Sequence, residues 1–174
     1  MTDTAPPPAQ EAPPPGKLAA LLILVIVITL IVVWIMIATQ FIADTSLVGG
    51  FMLLWYWAVV EKLETSRMTA AMIGAVVGIA LAWFLVWGAA TYGAVGLGSA
   101  LALLLLTVYL DILKAVPLVI NNATTLFLTL AAAPLVQLHV NWGELVLSTV
   151  AGGIFFVAVA EGMKRIAARF APAA

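Results

Sequence analysis

The sequence predicts an all-α fold, a polytopic membrane bundle of six transmembrane helices. Of the 174 residues, 65% are hydrophobic and 9% are charged, whereas a soluble domain has about 45–50% apolar and about 25% charged residues. Long apolar runs alternate with short segments that carry the charged residues. Because about 20 apolar residues cross the hydrocarbon layer of a bilayer, these runs favour membrane spans.

Composition divides the chain into three parts. Residues 1–16 contain six prolines and almost no large apolar side chain, which predicts a disordered cytoplasmic tail. Residues 17–166 are expected to form the transmembrane domain, and residues 167–174 a short basic, flexible tail. The apolar run that begins at Leu18 is too long for the apolar core of a signal peptide, so it is assigned to the first span.

Charged and turn-forming residues mark the limits of the six predicted spans. The second span is short, and an alternative with five spans makes this segment re-entrant. The predicted spans are 18–41, 47–60, 68–91, 95–113, 115–137 and 143–163.

The basic residues give an independent test of this topology, since Lys and Arg concentrate in cytoplasmic loops. All seven fall in segments on the same side of the predicted bundle. This predicts a multi-pass protein of the bacterial inner membrane whose N- and C-terminal ends are both cytoplasmic. The seven residues are Lys17, Lys62, Arg67, Lys114, Lys164, Arg165 and Arg169.

Six spans also divide into two sets of three with opposite orientation, the arrangement of an inverted 3+3 repeat. Gly74 and Gly78 in the third span, and Ser148 and Gly152 in the sixth, have the spacing of small-residue helix contacts. These four positions are predicted to mediate helix packing, and their faces offer surfaces for a homo-oligomer.

Asn121 and Asn122 are the candidate pathway residues within the fifth span. Adjacent amides in hydrocarbon need hydrogen-bond partners, and Pro117 leaves a carbonyl without its usual helical donor. Either the two amides line a polar pathway, or they bond to neighbouring helices and only stabilise the packing.

Glu161 near the end of the sixth span has two interpretations. It can pair with Lys164 or Arg165, three and four residues later on the same helix. If it faces the bundle instead, it becomes a candidate for proton coupling. Similarly, Tyr56 and Trp57 are either interfacial anchors or part of an aromatic wall for a planar substrate.

Composition excludes several functional classes. Zero cysteines and one histidine give no basis for a metal site or a cysteine nucleophile, and a net charge of −1 leaves no basic face for nucleic acid. No set of residues fits nucleophilic or metal catalysis. We therefore expect no enzyme activity and no cofactor.

Two segments resemble the fusaric acid resistance and aromatic acid exporter superfamily. They are WYWAVVEKLETSRMTAAMIGAVVGIALAWFL and NNATTLFLTLAAAPLVQLHVNWGELVLSTVAGGIFFVAVAEGMKRI. The chain is also similar to small bacterial inner-membrane proteins of unknown function. The resemblance implies a transport fold in a single membrane block, and it directs attention to Tyr56, Trp57, Arg67, Gly74, Gly78, Asn121 and Asn122.

Three functional hypotheses follow. The first is a small permease or exporter that works as a homo-oligomer and moves an organic acid or another small amphipathic solute. The second is a non-transporting scaffold or accessory subunit that binds a membrane partner protein. A membrane enzyme is the third, and the absence of a reactive constellation in the sequence argues against it.

Overall fold

The computed structural model describes residues 16–137 and 141–170, so nearly all of the predicted N-terminal tail lies outside the described residues. The described residues form helices and turns and contain no strand, which confirms the all-α prediction. The helices are α1 (Lys17–Ala38), α2 (Val48–Val59), α3 (Thr65–Ile112), α4 (Asn122–Ala132), α5 (Pro134–Gln137) and α6 (Trp142–Phe170). A short 3-10 turn, Asp44–Ser46, precedes α2.

Three described helices are long and apolar enough to cross a membrane: Lys17–Ala38, Thr65–Ile112 and Trp142–Ile166. The prediction of six full spans is therefore not supported. Helices α2 and α4 have 12 and 11 residues. At 1.5 Å per residue they extend over only about 18 Å, well short of the roughly 30 Å hydrocarbon layer.

The 48-residue helix α3 is interrupted at Gly93, whose backbone is non-helical at φ 57° and ψ −132°. Glycine tolerates this positive φ because it has no Cβ. On the two sides of the break, Gly88 and Gly96 lie in direct backbone contact. In a continuous helix these residues would be about 12 Å apart. The chain therefore reverses at Gly93, and α3 has a first arm (65–92) and a second arm (94–112).

The predicted fifth span, 115–137, is wrong as a single helix. Turns occupy the chain up to Asn121, and α4 begins only at Asn122. It ends at Ala132, and the next residue, Ala133, has an extended backbone at ψ 129°, which the following Pro134 favours. By contrast, α6 extends further than predicted and includes residues 167–170, which were assigned to a flexible tail.

The described residues separate into two units, one ending at Val33 and the other starting at Trp34. In the first unit, the Thr29 hydroxyl donates to the Val25 carbonyl of its own helix, so a polar group in an apolar helix is satisfied locally. In the second unit, α4 packs on α3, and α2 and α3 pack on α6. Its buried core includes Trp34, Leu53, Tyr56, Trp57 and Phe127.

Candidate functional site

Tyr56 and Trp57 lie in the core of the second unit, at 2% and 1% exposure. The Tyr56 hydroxyl donates to Glu61 Oε1 at 2.7 Å, and Trp57 Nε1 donates to the Glu64 carbonyl at 2.9 Å. Both side chains thus tie the end of α2 to the loop that follows. Trp55 is half exposed, and the three consecutive aromatic residues do not share one face.

Asn121 caps the N-terminus of α4. Its Oδ1 accepts from the Ala123 N–H at 3.0 Å, and its backbone N–H donates to Thr124 Oγ1 at 3.1 Å, which completes a capping box. Its Nδ2 donates to the carbonyls of Ala70 in α3, at 2.9 Å, and Pro117, at 3.1 Å. Asn121 therefore joins α4 to α3.

Three other predicted site residues lie at the surface of the described chain. Asn122 and Pro117 are exposed. Arg67 Nε lies 3.8 Å from Glu64 Oε2, and both side chains are more than half exposed. An exposed ion pair of this kind contributes less than about 1 kcal/mol to stability.

Gly74 and Gly78 allow α4 to approach α3 closely. A Cβ at Gly74 would overlap Asn121 Oδ1, and a Cβ at Gly78 would overlap the Thr124 carbonyl oxygen and lie 2.8 Å from the Leu128 nitrogen. This small-residue face is covered by α4 of the same chain. It is therefore not free to bind a second copy.

Helix α2 approaches α6 in the same manner. A Cβ at Gly152 would lie 2.8 Å from the Gly50 Cα, and a Cβ at Gly49 would overlap Thr149 Oγ1. The Gly50 N–H donates to Ser148 Oγ at 3.1 Å, so a side chain of α6 satisfies a backbone donor in the first turn of α2. Ser148 and Gly152 thus serve a contact between helices of one chain.

Two buried polar atoms in the described part of the chain have no hydrogen-bond partner, Trp34 Nε1 and Ser46 Oγ. The indole of Trp34 packs against Phe155 and Phe156, with ring centroids 5.5 and 5.8 Å away. It also contacts Gly50, whose missing Cβ leaves room for the ring. The sequence alone carries no signal for this aromatic contact between distant segments.

Glu161 belongs to a three-residue polar cluster with Thr65 and Lys164. Glu161 Oε1 accepts from Thr65 Oγ1 at 2.7 Å and from Lys164 Nζ at 2.8 Å, while Lys164 Nζ also donates to Thr65 Oγ1 at 2.8 Å. Of the two partners that helical spacing predicts for Glu161, Lys164 and Arg165, the structure pairs it with Lys164. Thr65 is 96 residues away in sequence and was missed, because only the packing of α3 on α6 brings it there.

An open groove of about 360 Å³ lies between α3 and α6 and reaches Thr65 at one end. The groove is mainly apolar, and its methionines can adjust to the shape of an apolar ligand. Thr65, Met68, Thr69 and Met72 line it from α3, and Gly153, Ile154, Val157 and Ala158 from α6.

Within residues 16–137 and 141–170, no group of three or more His, Cys, Asp or Glu side chains is arranged to hold a metal ion. The single histidine, His139, lies outside these ranges. No protein-family model matches the chain, and no similarity was found to a curated protein or to a solved structure. The resemblance to the aromatic acid exporters therefore stays a prediction.

Proposed function

We propose that the chain is a small permease or exporter of the bacterial inner membrane, that it assembles as a homo-oligomer, and that it moves an organic acid or another small amphipathic solute. The observation that carries this proposal is the reciprocal packing of two short helices against two long ones. These four helices, α2, α3, α4 and α6, all lie in the second unit.

Both halves of the chain have the same order of helix lengths. A long helix is followed by a short one and then by another long one: α1, α2 and the first arm of α3, then the second arm of α3, α4 and α6. The short helix of each half packs against the last long helix of the other half, since α2 contacts α6 and α4 contacts α3.

If the two halves are interchanged, α2 takes the place of α4, and α6 takes the place of the first arm of α3. The contact of α2 with α6 is then converted into the contact of α4 with α3. Both contacts depend on glycines that allow close backbone approach, Gly50 and Gly152 in one, Gly74 and Gly78 in the other. Such exchange is expected for an inverted 3+3 repeat, and secondary transporters built from these repeats bind solutes at interrupted helices. This correspondence between the two halves supports a transport fold with α2 and α4 as half-membrane helices.

Cysteine labelling tests the orientation in this proposal, and the chain has no native cysteine to remove. If α3 is a hairpin with cytoplasmic ends, single cysteines at Ala94 and Asn141 should react with an impermeant thiol reagent in intact cells. Cysteines at Ser66 and Ala115 should react only after permeabilisation. All four positions are exposed. Labelling of Ser66 in intact cells would contradict the orientation.

Solute flux tests the transport function. Proteoliposomes that contain the chain and are loaded with benzoate, as a probe organic acid, should release it faster than protein-free liposomes. Asn122→Leu should slow this release if Asn122 lines the pathway, and its melting temperature should stay near that of the wild type because Asn122 is exposed. Thr129→Leu is the matched control, an exposed residue on the same helix whose hydroxyl bonds to its own backbone.

A scaffold or accessory subunit is the second candidate. The observation that favours it is the structural use of the polar side chains, since Asn121 caps a helix and Glu161 is held by Thr65 and Lys164. Release no faster than from protein-free liposomes, together with a membrane partner protein that co-purifies at a fixed ratio, would favour this candidate and reject the permease.

A further inference from the structure

The groove between α3 and α6 joins an apolar surface to a cluster of charged groups. Most of its walls are aliphatic or methionine side chains, and its volume of about 360 Å³ is at the lower end of the range for small-ligand sites. Ile154 on its wall is 60% exposed. A groove of this composition suits a flexible hydrocarbon chain.

One end of the groove is polar. Thr65 lines the groove, and its hydroxyl is 2.8 Å from Lys164 Nζ. The side chain of Lys164 is more than half exposed beside the apolar walls, and its ammonium donates to Thr65 and Glu161. The site therefore has the two parts of an amphiphile's binding site, an apolar slot and a cation at its end.

The charge at this end favours an anion. From Glu161 onward, the described part of α6 carries three cations, Lys164, Arg165 and Arg169, and one carboxylate, Glu161. The first turn of α3 adds Arg67, which is paired with Glu64 of the preceding loop. The C-terminal part of α6 thus has a surplus of positive charge, and basic clusters beside membrane helices attract anionic headgroups.

We propose that this groove binds one anionic phospholipid of the surrounding bilayer. An acyl chain lies between α3 and α6 along Met68, Met72 and Val157, and the phosphate contacts the ammonium of Lys164. The lipid fills an open space between the two helices and holds their ends together. This site is separate from solute transport and does not depend on the proposed function.

The headgroup contact is tested with two substitutions of opposite expected effect. The full chain in detergent is titrated with phosphatidylglycerol, and bound lipid is counted by native mass spectrometry. Lys164→Gln should weaken binding about fivefold through the loss of one cation. Glu161→Gln should strengthen it, because it removes the competing carboxylate but keeps a hydrogen-bonding group beside Thr65. Loss of fold in either variant would weaken lipid binding. Only the headgroup contact predicts weaker binding in Lys164→Gln together with stronger binding in Glu161→Gln.

The acyl-chain contact is tested by filling the groove. Ala158→Phe should reduce binding of phosphatidylglycerol, whereas Leu147→Phe, an exposed position on α6 outside the groove, should not. Lys62→Gln is the control for charge and should leave lipid binding unchanged, since Lys62 is an exposed cation on the loop before α3. Lys164→Arg should retain binding, and phosphatidylcholine with the same acyl chains should bind more weakly. Equal binding of the two lipids, or a loss of binding in Glu161→Gln as large as in Lys164→Gln, would overturn the proposal.

Discussion

Replacement of Gly78 by alanine should lower the free energy of unfolding by about 3 kcal/mol, at the upper end of the usual cost of overpacking. The new Cβ would overlap the Thr124 carbonyl oxygen and lie 2.8 Å from the Leu128 nitrogen. Both are backbone atoms of α4, so neither can move out of the way by a side-chain rotation. Helix α4 would have to shift away from α3. This shift would also weaken the packing of Phe127, a fully buried core residue of α4, against α3.

Gly98→Ala is the matched control for this prediction. Gly98 lies on the second arm of α3, and a Cβ there would meet nothing within 4 Å. Alanine should therefore stabilise this arm by up to about 1 kcal/mol through its higher helix propensity. Unfolding of the detergent-solubilised chain, followed by circular dichroism, measures both changes. A loss of stability at Gly98 equal to that at Gly78 would mean that the close approach of α4 is not the cause.

Replacement of Asn121 by alanine should cost about 2 kcal/mol, the sum of a lost helix cap and a lost interhelical hydrogen bond. The change leaves the Ala123 N–H without its acceptor and the Ala70 carbonyl without the bond from α4. Asn122→Ala is the matched control, because Asn122 is exposed and a surface substitution changes stability by less than about 0.5 kcal/mol.

The same pair of variants separates the two interpretations of the adjacent amides. If Asn121 holds helices together, the Asn121 variant unfolds at a lower temperature, and its folded fraction transports solute as the wild type does. If Asn121 lines a pathway, its removal lowers solute flux from the folded fraction. An Asn121 variant as stable as the wild type would contradict the capping role that the hydrogen bonds indicate.

The sequence by itself determined the all-helical class and several of the helix limits. These features follow from local causes. An apolar run with few charges favours a membrane helix, as α1 and α6 illustrate. The break predicted between the spans 68–91 and 95–113 occurs at Gly93, where a positive φ favours glycine. Helical spacing offers Glu161 two partners, Lys164 and Arg165, and the structure pairs it with Lys164.

Only the tertiary structure decided which helices the small residues bring together and what the Asn121 amide does. The spacing of Gly74 and Gly78 indicates a close helix contact, but it carries no information about the partner, which is α4 of the same chain. The prediction of a single fifth span was wrong because hydropathy does not distinguish a helix from an apolar turn before a cap. Helix α4 starts after Asn121, whose side chain caps it and also bonds to Ala70 of α3. Likewise, Thr65 joins Glu161 and Lys164 through a contact across 96 residues. Contacts of this kind depend on how distant helices pack, and local sequence patterns do not encode that.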